Sequence, residues 1–250
     1  NRLTDSGCGE LVLTGIHLGA WGRDWGGALG IEDVIEKLLA VKDLPRLRLS
    51  SIEPREVSDR LLGLIRAEPK LCPHLHMPLQ SGDDGILRAM RRPYSAGQYL
   101  DMVGRVKAAL PEPSLTTDVL VGFPGESEAA LENTLAVCRE VGFSRMHVFP
   151  FSPRPGTPAA DMSGRLSPPV LRKRVRKAEA VAEELALAYK ERFVGRTVHP
   201  LIEERQGADG LLCGYTERYL RSLLDGPDEL KGRVVTMKVM STDAGALRGR

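Results

Sequence analysis

The feature that most constrains this chain is a repeated order of a short apolar run, a loop, and a stretch with helical spacing. The apolar runs cover residues 10–14, 46–52, 74–79, 114–121 and 145–151. The segments between them place apolar residues three and four positions apart, as in residues 31–41. This alternation predicts an α/β fold with a parallel sheet and right-handed crossovers. Five repeats are too few for a closed eight-stranded barrel, so we expect a partial (βα) TIM-like barrel or an open sheet.

The pattern changes after Phe193, at the end of a long helical segment over residues 171–193. Short candidate strands follow at residues 197–203, 211–215, 219–224 and 233–240, with glycine in the turns between them. Short strands at this spacing are typical of a small all-β barrel. We therefore divide the chain into an α/β unit, residues 1–193, and an all-β unit, residues 194–250.

Composition restricts the classes of protein to consider. The chain has 250 residues, of which 42% are hydrophobic and 27% charged, which is enough apolar material for a sizeable core. The formal charge of +2 does not demand a nucleic-acid partner, although a local basic surface stays open. No apolar run approaches the length of a membrane span, and no secretion signal is recognisable, so we expect a cytoplasmic protein. We also expect a monomer.

The four cysteines, Cys8, Cys72, Cys138 and Cys213, lie far apart in the sequence. None belongs to a CxxC or CxxxCxxC cluster, so they predict no zinc or iron–sulfur site. The first residue is Asn1 rather than methionine, in what reads as the end of a helix, and we expect that the chain is a fragment whose N-terminal part is absent. His74 and His76 share one strand face by spacing, but no third ligand accompanies them and no metal site is predicted.

Candidate binding residues follow from strand ends, because the active sites of βα repeats lie at the carboxyl ends of the strands. Gln80 and Ser81 come directly after the third apolar run. Thr116 and Asp118 lie within the fourth, where a carboxylate needs a partner if it is buried. A ligand contact and a structural hydrogen bond are equally open for these two residues.

Two further groups end strands in the same way. Ser51 and Glu53 follow the second run, and such groups suit ribose hydroxyls or an amino group, or cap the next turn. Gly122 and Gly125 in the string GFPGE precede a helix, where glycine allows close approach of a ligand and the helix N-terminus favours anions. Turns of glycine and proline are also common without any ligand.

Basic residues mark candidate nucleic-acid contacts. Arg88, Arg91 and Arg92 lie on the basic helix that follows the third run, and Arg154 lies on a proline-rich loop. In the all-β unit, aromatic and basic residues interleave at Tyr215, Arg218, Tyr219 and Arg221. Aromatic rings with neighbouring cations suit base stacking and phosphate contact on RNA. An ordinary solvated surface is the alternative for each group.

Taken together, four strings resemble one known family. They are LVLTGIHLGAWGRD (11–24), HLHMPLQSGDDGILRAMRRPY (74–94), TTDVLVGFPGE (116–126) and HVFPFSPRPGTPAA (147–160). In this order they resemble the radical-SAM methylthiotransferases, and most closely the subgroup that acts on threonylcarbamoyl-adenosine beside the tRNA anticodon. The tail, with GLLCGYTERYLRSLLDGPDELKG (210–232), resembles the family's RNA-binding TRAM domain, a small OB-like barrel.

The resemblance implies a radical-SAM partial barrel that holds S-adenosylmethionine and a 4Fe–4S cluster, with a second cluster in an N-terminal domain. This sequence departs from the family pattern because it contains no CxxxCxxC loop, so the cluster ligands would lie outside it and we expect the segment alone to be inactive. By resemblance, the cofactor cavity would include Ser51, Glu53, Gln80, Ser81, Thr116, Asp118, Gly122 and Gly125. No catalytic residue is matched.

The partner implied by the resemblance is tRNA, through its anticodon stem-loop, with Arg154 and the basic helix at Arg88 toward the phosphates. No motif indicates the sulfur donor. Two alternatives remain within the family, isopentenyl-adenosine in tRNA or an aspartate on a ribosomal protein as the target. A non-catalytic RNA-binding module is the alternative from another class.

Overall fold

The computed structural model describes residues 7–26, 29–206 and 210–250. Its α/β unit has parallel strands β1 (Leu11–Leu13), β2 (Leu47–Leu49), β3 (His74–His76), β4 (Ser114–Val121) and β5 (Arg145–Pro150). β1 pairs with β2, and β4 pairs with β3 and β5, all in parallel. Parallel bridges at Leu47–Leu71 and Ser51–His76 connect β2 to β3. The strands therefore follow one another in chain order, which confirms the predicted parallel arrangement.

The helices cover the outer face of these strands. They are α1 (Ile31–Leu39), α2 (Asp59–Ala67), α3 (Asp84–Ala89), α4 (Ala96–Ala109), α5 (Glu128–Val141) and α6 (Pro168–Glu191). Ser58, Asp83, Ser95 and Ser127 accept a hydrogen bond from the first turn of α2, α3, α4 and α5 respectively. Such a cap contributes about 1 kcal/mol to helix stability. α6 begins three residues before the predicted start. Its first positions are prolines, which lack a backbone N–H and are tolerated there because the N–H groups of a helix's first turn have no partner within the helix.

The core of the α/β unit lies between the strands and the helices. Leu75, Met77 and Leu79 are fully buried there, and the Tyr99 hydroxyl of α4 donates to the Met77 carbonyl oxygen at 2.8 Å. Their neighbours His74 and His76 lie on the opposite face of the same strand segment. The period of two therefore sends apolar residues outward to the helices and polar residues into the barrel interior.

The all-β unit has strands β6 (Thr197–Val198), β7 (Leu201–Gln206), β8 (Leu211–Tyr215), β9 (Arg221–Leu224), β10 (Met237–Thr242) and β11 (Leu247–Gly249). Their order is β6-β10-β11-β9-β8-β7. The segment before β10 closes this sheet against the start of β7, since the Gly232 amide donates to the Ile202 carbonyl at 2.7 Å and the Val235 amide donates to the Pro200 carbonyl at 3.0 Å. The sheet thereby encloses a second core that includes Tyr189 and Phe193 from the end of α6.

Three details of the all-β unit differ from the sequence prediction. The predicted strand from residue 219 begins at Arg221, because Tyr219 has a φ of +58°, a left-handed conformation that interrupts a strand. The predicted strand at 233–240 is regular only from Met237, and the short strand β11 was not predicted. Among the described residues, no helix combines the length and the apolar character needed to cross a membrane.

Candidate functional site

The inward faces of the parallel strands enclose a cavity of about 360 Å³. All five strands contribute to it, and residues two apart along a strand line it together because their side chains share a face. The residues that line it are Val12, Arg48, Leu49, Ser50, Ser51, His74, His76, Thr116, Asp118, Arg145, His147, Phe149 and Tyr219. We call this space the barrel cavity. Its size and its few converging polar groups are typical of a small-molecule site.

A hydrogen-bonded network runs along one wall of the barrel cavity. The Thr116 hydroxyl lies 3.1 Å from His74 Nε2 and 3.0 Å from His76 Nδ1. His76 Nε2 in turn lies 3.4 Å from Asp118 Oδ2, and the His147 ring lies 6.1 Å from the His76 ring. The network fixes the orientation of the His76 ring and presents the Asp118 carboxylate to the cavity.

Burial and neighbouring charges set the ionisation of these groups. Burial, with the Arg48 charge adding to it, holds the pKa of His74 well below its ordinary value, so this imidazole stays neutral. Burial alone would raise the pKa of Asp118, but the hydrogen bond from His76 and nearby cationic groups lower it overall. Burial and Arg145 likewise lower the pKa of His147. At neutral pH the cavity therefore holds a carboxylate beside uncharged His74.

The all-β unit supplies the floor of the barrel cavity, at the amino ends of the strands. The turn before β9 carries Tyr219, whose ring lies 5.2 Å from the His74 ring and 4.9 Å from the Tyr215 ring. The Arg48 guanidinium lies 4.9 Å from the centre of the Tyr219 ring. A cation against an aromatic face in a partly desolvated place is a favourable contact. The cavity is thus built from both units of the chain.

A buried cluster of charges holds the two units together below the cavity. Glu10 accepts hydrogen bonds from Arg46 at 2.5 Å and from Arg48 at 2.7 Å, and both arginines are almost fully buried. The remaining guanidinium nitrogens donate to backbone carbonyls of the all-β unit at His199, Tyr215, Thr216 and Glu217. Because buried charges need partners, this cluster fixes the turn that carries Tyr219.

A second concavity, which we call the rim cleft, lies at the opposite end of the barrel. It has a volume of about 740 Å³ and is formed by the segments that follow β1, β2 and α3. Its lining residues are Ile16, His17, Arg23, Glu53, Arg55, Glu56, Met90, Arg91, Arg92 and Pro93. Arg92 pairs with Glu53 at 3.1 Å, and Arg55 donates to the Pro93 carbonyl at 3.0 Å.

The residues predicted for the cofactor fall in three places. Ser51, Thr116 and Asp118 line the barrel cavity, together with the two histidines of β3 that the sequence placed on one face. Glu53 lies in the rim cleft instead. Contact of these residues with a cofactor stays a prediction.

The other four predicted cofactor residues lie outside the lining of the barrel cavity. Gln80 has a φ of +63°, and its backbone bonds to β4 at Asp118 and Leu120. Ser81 is buried, and its hydroxyl lies 3.2 Å from the Thr134 hydroxyl of α5.

Gly122 and Gly125 both have positive φ values, +81° and +85°, in the turn after β4. A Cβ atom at Gly122 would overlap the Leu171 side chain, and the Gly125 amide donates to the Gly164 carbonyl. The turn therefore packs against the segment before α6, and glycine is required there by conformation and by space.

The residues predicted for RNA also separate. Arg91 and Arg92 line the rim cleft, and Arg88 and Arg154 are exposed. In the all-β unit, Arg218 donates to the Glu112 carbonyl at 3.2 Å and pairs with Glu217, and Arg221 bonds to Gln206. Tyr215 and Tyr219 stack on each other against the barrel. These tail residues face the α/β unit in part, and their contact with RNA stays a prediction.

Sequence reasoning missed several cavity residues, among them Arg48, Arg145 and Phe149. The sequence did contain a signal for these three residues. Each occupies an inward position in the same period-of-two pattern that places His74, His76 and Asp118. Tyr219 gave no such signal for the cavity, since its place depends on how the two units meet.

The described residues contain no group of three or more side chains suited to a metal ion. Burial raises the pKa of the Cys72 and Cys138 thiols to about 12, so both stay protonated and unreactive. A family model described as the Radical SAM superfamily matches residues 9–138.

Curated relatives share about a third of their residues with this chain. A tRNA-2-methylthio-N(6)-dimethylallyladenosine synthase of Bacillus velezensis is 35% identical over 250 residues, 99% of this chain and 49% of the relative. A threonylcarbamoyladenosine tRNA methylthiotransferase of Thermotoga maritima is 37% identical over 215 residues, 85% of this chain and 48% of the relative. The chain spans about half the length of these relatives.

Solved structures with a similar fold are more distant in sequence. Coproporphyrinogen III oxidase of Escherichia coli, a radical SAM enzyme, aligns with a TM-score of 0.51 at 15% identity, over 86% of this chain and 55% of that one. The radical S-adenosylmethionine methyltransferase TsrM of Kitasatospora setae gives 0.50 at 14% identity, over 64% and 31%. These similarities concern the fold.

Proposed function

The chain belongs to the radical SAM superfamily, and we propose that it forms the cofactor-binding and substrate-facing part of a tRNA methylthiotransferase. The proposed reaction adds a methylthio group at C2 of N6-threonylcarbamoyladenosine next to the anticodon. Relatives named for this nucleoside and for the dimethylallyl nucleoside match at similar identity, so the choice between them rests on the chemistry of the site.

The charge of the rim cleft is the observation that carries the choice of nucleoside. Arg23, Arg55, Arg91 and Arg92 line it against Glu53 and Glu56, an excess of two positive charges. A threonylcarbamoyl group carries a carboxylate, which a guanidinium binds with charge-assisted hydrogen bonds. A dimethylallyl group is uncharged and apolar, and the charged lining of the rim cleft offers it few favourable contacts.

The barrel cavity fits S-adenosylmethionine by the kinds of group it presents. Asp118 offers a carboxylate for an amino or hydroxyl group, and Ser51 offers a hydroxyl. Phe149, about half exposed at the cavity, offers a ring face for a purine. When bound, S-adenosylmethionine with a 4Fe–4S cluster supplies a radical and a methyl group; in this proposal the cluster ligands come from outside the 250 residues.

The chain's own residues orient the cofactor and hold it in place. Thr116 and His76 fix the Asp118 carboxylate through the network described above, so that it meets the cofactor without rearrangement. Neutral His74 and the Tyr219 ring lie against each other at the floor of the cavity. The inferred division is a cofactor inside the barrel and an RNA nucleoside at its rim.

A nucleoside profile of tRNA tests the function directly. We expect that source cells lacking the full-length gene lose 2-methylthio-N6-threonylcarbamoyladenosine and accumulate its unthiolated precursor, measured by mass spectrometry. The wild-type gene should restore it, as should a gene with Arg66→Gln on an exposed helix end, whereas Asp118→Asn should not. Loss of the methylthio group from the dimethylallyl nucleoside alone would contradict the proposed choice of nucleoside. An unchanged profile would contradict tRNA as the target and would favour a ribosomal protein as the substrate.

A further inference from the structure

The segment after β1, residues 15–26, holds both tryptophans of the chain on its surface. We call this segment the rim loop. Trp25 is 58% exposed and Trp21 is 36% exposed, with their ring centres 5.0 Å apart in an edge-to-face arrangement. Ile16 beside them is fully exposed. Large apolar side chains grouped on a surface in this way mark an interaction site.

The rim loop is held in shape by buried contacts. The Glu56 side chain is 5% exposed and lies 2.8 Å from His17 Nε2 and 2.8 Å from an Arg23 nitrogen. A Cβ atom at Gly19 would overlap the Glu56 carboxylate, so glycine permits this close approach. Leu18 is buried in the main core. The tryptophans are therefore presented outward by a loop whose base is anchored.

Cations with spare donors line the rim cleft, to which the rim loop contributes Ile16, His17 and Arg23. The Arg91 side chain makes no hydrogen bond or ion pair with another described residue, and its backbone has a φ of +57°. Arg55 uses one nitrogen for the Pro93 carbonyl and keeps its other donors toward the cleft. Since an arginine prefers a bidentate anionic partner, both side chains are arranged for phosphate or carboxylate oxygens.

We propose that the rim loop and the rim cleft together bind a single-stranded segment of RNA. Its phosphates contact Arg55 and Arg91, and an unpaired base stacks on Trp25. This inference rests on the proposed function, in which an anticodon loop must reach the barrel mouth, and it names residues that bring the loop there.

Single-stranded RNA fits better than a duplex, because stacking on a tryptophan requires a base whose face is free. In this arrangement Arg55 and Arg91 bind the backbone phosphates of that strand, and the remaining guanidinium donors of Arg23 and Arg92 are left for the carboxylate of the nucleoside. An anionic lipid surface is the other common partner of tryptophan and arginine, and the experiment separates the two.

Tryptophan fluorescence locates the contact, because every tryptophan of this 250-residue chain lies in the rim loop. We expect an anticodon stem-loop RNA to quench the emission in a saturable way, and a fully paired RNA of equal length to quench it weakly. RNA that binds, as judged by anisotropy of a labelled stem-loop, without quenching would overturn the proposal. Quenching by anionic phospholipid vesicles but not by the stem-loop would overturn it too.

Variants measure the two parts of the contact. Trp25→Ala should weaken stem-loop binding roughly tenfold, whereas Trp25→Phe should keep most of the affinity because stacking is retained. Replacing Arg55 and Arg91 by glutamine should lower the slope of log affinity against log salt by about 1.4, since about 0.7 is lost for each phosphate contact.

The matched control removes two exposed arginines from helix ends away from the cleft, Arg66→Gln with Arg139→Gln. It loses the same charge and should keep the salt slope. Equal slopes for the two double variants, or no stem-loop binding by the wild-type chain, would contradict the inference. The nucleoside profile decides the proposed function separately, since a methylthiolated tRNA can be present while the stem-loop binds elsewhere.

Discussion

The two ends of the barrel are both rich in arginine, yet Arg46 and Arg48 at the floor differ from Arg55 and Arg91 at the rim in the partners they have. At the floor, Arg46 and Arg48 are 6% and 3% exposed, and their guanidinium groups are taken up by Glu10 and by backbone carbonyls. At the rim, Arg55 has one backbone contact and Arg91 has no partner among the described side chains. The environment, and not the residue type, therefore separates an arginine that assembles the fold from one whose donors stay available.

The same comparison applies to the aromatic residues. Tyr215 and Tyr219 at the floor stack on each other and on the barrel, while Trp21 and Trp25 at the rim keep much of their surface free. From the sequence, the tyrosines of the tail were the more obvious candidates for RNA. The contacts they make in the fold shift the proposed RNA surface to the tryptophans.

The largest predicted effect comes from breaking the floor cluster. Glu10→Gln should lower the free energy of unfolding by about 3–5 kcal/mol, because it leaves two buried guanidinium groups short of a charged partner. Urea unfolding followed by circular dichroism measures this. Glu184→Gln, on the exposed side of α6, is the matched control and should leave the midpoint unchanged. A Glu10→Gln chain as stable as the wild type would show that the cluster does not hold the units together.

A smaller effect is expected from the Tyr219 ring that closes the cavity floor. Tyr219→Ala should lower the free energy of unfolding by about 2 kcal/mol, less than for a fully buried aromatic residue since the side chain is 37% exposed. Tyr219→Phe should be neutral, because the hydroxyl makes no hydrogen bond with the described residues and the ring contacts persist. If the two variants were equally unstable, ring contact would not be the source of the stability.

The buried histidine predicts a pH dependence at the floor. The folded chain keeps His74 neutral, while the unfolded chain takes up a proton as the pH falls below about 6.5. The unfolded state then binds more protons, so stability is present above that pH and is lost below it, by about 1.4 kcal/mol per pH unit.

His74→Asn should remove this part of the slope between pH 6 and pH 5, measured by urea unfolding at each pH. His147→Asn should remove a smaller part, because His147 is only half buried although its pKa is lowered as well. An identical slope for wild type and His74→Asn would contradict a neutral buried imidazole.

The smallest effect on stability is predicted at the rim. Arg55→Gln and Arg91→Gln should leave the midpoint of urea unfolding unchanged, since these side chains are exposed and carry few contacts. Their effect should appear in RNA binding alone. A rim variant that unfolds as readily as Glu10→Gln would erase the contrast between the two ends.

The sequence predicted parallel strands that alternate with helices, because hydrophobic period and chain order are local properties. The same period places His74 and His76 on one face of their strand, and the structure brings them together with Thr116 and Asp118. The sequence could not place Ser81, which follows a strand as predicted but whose hydroxyl contacts the Thr134 hydroxyl of α5. Nor could it place Tyr219, whose left-handed backbone and contact with Arg48 arise only when the two units pack together.

The proposed division places the cofactor inside the barrel and the RNA at its rim. It is tested most directly by hydrogen–deuterium exchange of the 250-residue chain with and without an anticodon stem-loop RNA. It reads both ends of the barrel in one experiment. We predict slower exchange in peptides that cover residues 16–26 and 90–93, with residues 211–224 of the all-β unit unchanged. Protection confined to residues 211–224, with the rim unaffected, would place the RNA surface on the all-β unit and contradict RNA binding at the rim.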